Sequence, residues 1–226
     1  MNWTKPVTFL CALALFAAPV FAGPLASDTN AIVGFHGSTG YQGYYDFPGT
    51  SNPSGLVGHI DYAVYTAANY PAGFTGYVPT PGQYVYTYQA YQHIDGPAPL
   101  SQLILAIENA ANNPGTFTGD GGFGPVVPTS PADIPDDIQL VALDSIQWSF
   151  FSGVQAGHNT IGLAFSSPNP PAMFNGVVID DGTVGFVIPL PSPGGPDVPE
   201  PSTLVLASVG LAAVGLRWLR ARKARA

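Results

Sequence analysis

The sequence predicts an all-β chain: an antiparallel β-sandwich of jelly-roll or immunoglobulin-like type, with an N-terminal signal helix and a C-terminal single transmembrane helix. Three observations predict it. Apolar residues in the middle of the chain alternate at the period of two that marks a half-buried strand, as in Ile60, Tyr62 and Val64 against His59, Asp61 and Ala63. Glycine (27 residues) and proline (24 residues) punctuate these runs, which suits turns and leaves little room for an amphipathic helix. The two ends, in contrast, are apolar runs next to basic residues. At 226 residues the chain has room for one ordinary domain plus targeting segments.

Residues 1–22 read as a signal peptide. Lys5 precedes an apolar run over 7–18, and Val20 and Ala22 occupy the −3 and −1 places of a cleavage site, so signal peptidase is expected to cut between Ala22 and Gly23. The run falls short of the roughly 20 residues that a bilayer-spanning helix needs. Cys11, the one cysteine, lies inside it behind Thr8, Phe9 and Leu10, a poor lipobox. The mature domain therefore has neither a disulfide nor a thiol nucleophile.

Residues 23–190 form the expected ectodomain, with strands over 31–36, 55–66, 83–93, 101–108, 138–151, 159–166, 174–179 and 183–189. Ile146, Trp148 and Phe150 alternate with Gln147 and Ser149, and Ile161, Leu163 and Phe165 follow the same pattern, so one face of each strand should be buried. Asp180-Asp181-Gly182 between two apolar runs is a hairpin signal, because Asp-Gly readily takes the positive φ of a two-residue turn. The Pro- and Gly-rich stretch 191–198 reads as a linker.

Residues 199–226 form the tail. Pro199-Glu200-Pro201 is followed by a mostly apolar stretch over 202–219, which as a helix would span about 27 Å, just under a hydrocarbon core. Arg217, Arg220, Arg222, Lys223 and Arg225 end it and orient it by the positive-inside rule, leaving the ectodomain outside the cytoplasm. The charges are fully segregated: no Lys or Arg occurs over 23–203, and all 14 carboxylates lie there. Such a domain does not bind nucleic acid, since phosphate neutralisation needs Lys and Arg. Self-repulsion should also make it less stable at low salt than at moderate salt or with divalent cations.

The order Pro-Glu-Pro, apolar helix, arginine-rich end resembles the PEP-CTERM sorting signal. The resemblance covers about 30 residues and implies recognition by an exosortase in the inner membrane, cleavage near the triplet and transfer of the domain to the cell surface or extracellular matrix. Such proteins are associated with bacteria that make exopolysaccharide and biofilm matrix. The span 153–167, with Trp148 before it, loosely resembles the ectodomains often attached to this tail, which supports a sandwich and implies no activity.

No convincing catalytic constellation emerges, so the expectation is a non-enzyme without cofactor. Gly37-Ser38-Thr39-Gly40 lacks the spacing of a nucleophile elbow and reads as a polar loop. His36, His59, His93 and His158 are scattered with no zinc-ligand spacing. Asp180 and Asp181, and Asp120 with Gly121 and Gly122, are weak calcium candidates that read better as turns. Asp133, Asp136 and Asp137 read as a solvated loop, and Glu108 as a turn residue.

Tyr84, Tyr86 and Tyr88 share one strand face. They could stack on sugars if exposed, but tyrosine is also a strong strand former that buries its ring. The expected function is structural or adhesive, in the envelope or a biofilm. Carbohydrate binding to exopolysaccharide is the alternative, and a secreted hydrolase, needing paired carboxylates or a His-Asp pair in a concave pocket, the second.

Overall fold

The computed structural model of the chain describes residues 23–44, 53–107, 111–141, 145–174, 176–180, 183–187 and 189–194. The expected signal helix and transmembrane helix lie outside them, and no helix among the described residues is long and apolar enough to cross a membrane.

The regular structure of the described chain is strand, apart from two short turns. In order the strands are β1 (His36–Tyr44), β2 (Pro53–Thr66), β3 (Phe74–Thr75), β4 (Tyr84–Gln92), β5 (Leu100–Ala106), β6 (Asn112–Asp120), β7 (Pro125–Val126), β8 (Asp137–Val141), β9 (Ser145–Val154), β10 (Gly162–Ser167), β11 (Pro171–Phe174), β12 (Gly176–Asp180), β13 (Thr183–Val187) and β14 (Leu190–Pro193). Two short 3₁₀ turns, Leu25–Ser27 and Pro131–Asp133, accompany them. One sheet runs β3-β6-β10-β4-β2-β1-β13-β12-β5-β9-β8, with β7 beside β6, and β11 pairs with β14 in a second. The pairings are antiparallel, and the main sheet is not a closed barrel.

The main sheet folds over on itself. Tyr88 of β4 and Trp148 of β9 are far apart in the strand order, yet their rings lie 6.3 Å apart. Ile60 and Val64 of β2, Tyr86 of β4 and Phe165 of β10 meet Leu103 and Leu105 of β5 and Ile146 and Phe150 of β9 in one buried cluster. Burial of such side chains is the main favourable term in folding, about 1.5–3 kcal/mol each.

A second cluster covers the opposite face of β2, β4 and β10. Ala63, Tyr65, Val85 and Ala164 pack there against Leu25, Ala31, Phe74, Tyr77, Phe117 and Val126. The segment before β1 is tied down by Ile32 N–H to Val64 O (2.8 Å) and Val64 N–H to Phe35 O (2.9 Å). These three strands are therefore buried on both faces, where alternation predicted a single buried face. His59 (7 % exposed) and Asp61 (0 %) lie on the face expected to meet water.

Four other expectations are corrected. The strand placed at 31–36 starts at His36 and takes in Gly37-Ser38-Thr39-Gly40, the presumed loop, because β2 supplies backbone partners from His36↔Ala63 to Gln42↔Val57. The single strand at 138–151 is two: β8 and β9 pair from Asp137↔Ser149 to Val141↔Ser145, and residues 142–144 connect them. The Asn/Pro/Gly-rich stretch 112–120 is strand β6, whose breaks are absorbed by positive φ at Asn113 (50°) and Gly119 (113°). The linker expected from 191 begins instead as β14, with Pro191 and Ser192 buried. Proline is tolerated there because β14 has only β11 as a partner, and Ser192 Oγ anchors it on Ala106 O (2.6 Å).

Candidate functional site

The sorting residues Pro199, Glu200 and Pro201, the basic residues Arg217, Arg220, Arg222, Lys223 and Arg225, and Ala22 all lie outside the described residues. Gly23 lies within them. The fold is held up to Gly194, whose N–H donates to Pro170 O (2.9 Å), three residues before Asp197.

The tyrosine face of β4 points into the first core. Tyr86 and Tyr88 are 0 % exposed; Tyr86 stacks on Phe165 at 4.9 Å and 6°, and donates to Asn169 O at 2.8 Å. Tyr88 donates to Pro191 O, which pins β14 over the core. Both hydroxyls are held well above their ordinary pKa, first by burial. Rings this enclosed offer no stacking surface to a sugar, which counts against a platform on Tyr86 and Tyr88. Tyr84 is half-buried and lines a cleft of about 350 Å³ with Thr66, Gln83 and Pro168.

Two of the four histidines, His59 and His93, meet in space. Antiparallel pairing of β2 with β4 sets His59 opposite Tyr91. His59 stacks on that ring at 4.5 Å and 6°, while its Nδ1 meets His93 Nε2 at 2.8 Å. Burial, then the His93 charge, lowers the His59 pKa to about 4. Its Nε2 is 3.9 Å from Asp61 Oδ1. Burial raises the Asp61 pKa to about 6, opposed by the Ser38 hydroxyl and the Gly23 N–H.

A second pair joins Asp133, completely buried, to His158 Nδ1 at 3.0 Å. Asp133 was expected in a solvated loop. Instead Ser130 Oγ caps its 3₁₀ turn and Ile161 N–H bonds to Asp133 O, which turns the carboxylate inward. Nothing in the sequence signals these pairs, because their members lie 34 and 25 residues apart.

The acidic loops serve the backbone. Asp120 Oδ1 accepts from Gly122 N–H (2.7 Å) and Gly124 N–H (3.2 Å), and Asp136 Oδ2 accepts from Phe151 N–H (2.7 Å). Pairing of Asp180 with Thr183 leaves two residues between β12 and β13, as the Asp-Gly signal predicted; Asp181 and the Asp180 side chain lie outside the description. No group of three or more His, Cys, Asp and Glu suited to a metal occurs among the described residues.

A cleft of about 390 Å³ is lined by Ser101, Gln102, Ser149, Phe150, Phe151 and Ser152 among others, and Phe151 stands 79 % exposed. Neither His-Asp pair lines it.

An antiparallel all-β domain without Lys or Arg, held to within five residues of a Pro-Glu-Pro tail, is the body of an exported protein that carries its sorting signal behind it. Residues 197–223 match the PEP-CTERM protein-sorting motif. The chain thus carries the signal of an exported protein that an exosortase processes at the membrane. No curated protein and no solved structure matches the chain.

Proposed function

We propose that this chain is a non-enzymatic surface or matrix protein: a sandwich-like ectodomain, with the curled sheet as its two layers, delivered to the cell surface and used there for structural or adhesive purposes in an exopolysaccharide biofilm. The observation that carries the reading is the sorting motif at 197–223 directly behind a fold secured up to Gly194. A cut near Pro199–Glu200–Pro201 would leave every described strand intact. On this reading signal peptidase removes residues 1–22, and the 202–219 helix holds the domain at the inner membrane until the exosortase acts.

The test is intact mass of the protein from the envelope fraction, compared with a variant in which Pro199, Glu200 and Pro201 are alanine. The wild-type chain should be shorter by most of the tail, and the variant should keep it. Equal masses would remove the sorting reading.

Carbohydrate binding is the second reading, and its favoured surface moves from the β4 tyrosines to the cleft beside Phe151. There an exposed aromatic ring, Phe151, stands beside hydroxyl and amide groups that can bond to a sugar.

A further inference from the structure

Gly23 N–H donates to Asp61 Oδ2 at 2.5 Å. Asp61 is 0 % exposed, and its Oδ1 has no hydrogen-bond partner. A buried carboxylate that has only neutral groups, the Gly23 N–H and the Ser38 hydroxyl, to favour its charge is costly unless a counterion compensates it. The domain offers no Lys or Arg. His59 approaches Oδ1 only to 3.9 Å, and its own burial keeps it neutral near pH 7.

We propose that cleavage between Ala22 and Gly23 turns the Gly23 amide into an α-ammonium that docks on Asp61, so that export itself creates the counterion this buried carboxylate lacks. The ammonium brings three donors where the peptide N–H brought one, enough to reach Oδ2, Oδ1 and a third acceptor. The socket is shaped for glycine: a Cβ at position 23 would run into Asp61 Oδ2 and Tyr91 Oη and push one of these groups aside. Its walls are fixed, since Tyr91 donates to Gln89 Oε1 at 2.7 Å and stacks on His59. Two residues on, Leu25 is fully buried, and Tyr65 donates to buried Asp28 at 2.6 Å, so the chain start is built into the fold.

The inference rests on the export reading, and the experiment separates the two. The processed protein, extracted in detergent, is acetylated with light acetic anhydride while folded and with heavy reagent after unfolding, then digested with chymotrypsin and weighed. The first residue should be Gly23. Its amine should react about tenfold more slowly in the folded protein at pH 7, with an apparent pKa about one unit above the ordinary ~8. Lys223, where the tail is retained, should react alike in both states.

A mature chain that starts elsewhere would overturn the cleavage position and the socket together. Gly23 reacting at the unfolded rate would overturn the socket alone. Asp61→Asn and Gly23→Ala should each restore most of the reactivity, and retained protection in both would also overturn the proposal. Should Asp61→Asn fail to fold, the wild-type and Gly23→Ala measurements still decide.

Discussion

Asp133 has no solvent exposure, and its carboxylate lies 3.0 Å from Nδ1 of His158 across 25 residues of sequence. The pair closes the turn Pro131–Asp133 against the segment leading into β10. His158→Ala leaves the carboxylate without this donor, and a buried acceptor stripped of its partner costs about 1–3 kcal/mol. Denaturant unfolding should show that loss, and a smaller one for Asp133→Asn, which can still accept from the ring. Burial raises the Asp133 pKa, so its folded form favours the proton; its contribution is present below the ordinary carboxylate range and is lost as pH rises through the folded value.

His59 works in the opposite direction. Its pKa falls from 6.5 to about 4, so the unfolded chain binds more protons at this ring between those values and the ring's own contribution rises with pH, while Asp61, raised to about 6 by burial, contributes a falling term over much of the same window. The full shift corresponds to about 3 kcal/mol. From pH 4 to 7 the melting midpoint of His59→Gln should rise less, or fall more, than that of wild type, because the rising term of the ring is gone and the falling term of Asp61 stays; an unchanged difference across this range would show that the ring is not a titrating group.

Tyr88→Phe removes the hydroxyl that holds Pro191 while keeping the ring against Trp148 and Phe165. It leaves a buried carbonyl without this donor, for a loss of about 1 kcal/mol. Hydrogen exchange should rise first in β11 and β14, the pair that Tyr88 secures.

Phe151→Ala should change stability by less than about 0.5 kcal/mol, because the ring is mostly in water. If the cleft beside Gln102 and Ser149 holds sugar, the same substitution should abolish retention of the folded protein on purified exopolysaccharide. Retention equal to wild type would move any sugar site away from this cleft.

With 14 carboxylates and no Lys or Arg between Gly23 and Thr203, like charges repel throughout the domain. The melting midpoint should rise between low and moderate ionic strength, and with millimolar calcium. Identical midpoints under all three conditions would contradict this.

Local sequence carried more of the fold than of the ectodomain's polar clusters. Alternation in β2 and β10 placed Ile60, Val64, Leu163 and Phe165 inward, and Asp-Gly placed the β12–β13 hairpin, since both signals depend on neighbours one or two residues away. Strand β1 and the division of 138–151 into β8 and β9 were missed. Glycine-rich strands borrow their stability from paired backbones, and the run 138–151 is apolar on both sides of Asp144 and Ser145, so two strands read as one.

By itself the sequence determined the antiparallel all-β class, the segregation of charge and the sorting motif at 197–223, all properties of composition or of contiguous residues. Only the tertiary structure decided that Tyr86 and Tyr88 are walled in, that His59 meets His93, that Asp133 meets His158 and that Gly23 sits on Asp61. Each depends on which strands pair and on what covers the second face of the sheet. That outcome is set by burial summed over the whole chain, which no local pattern encodes.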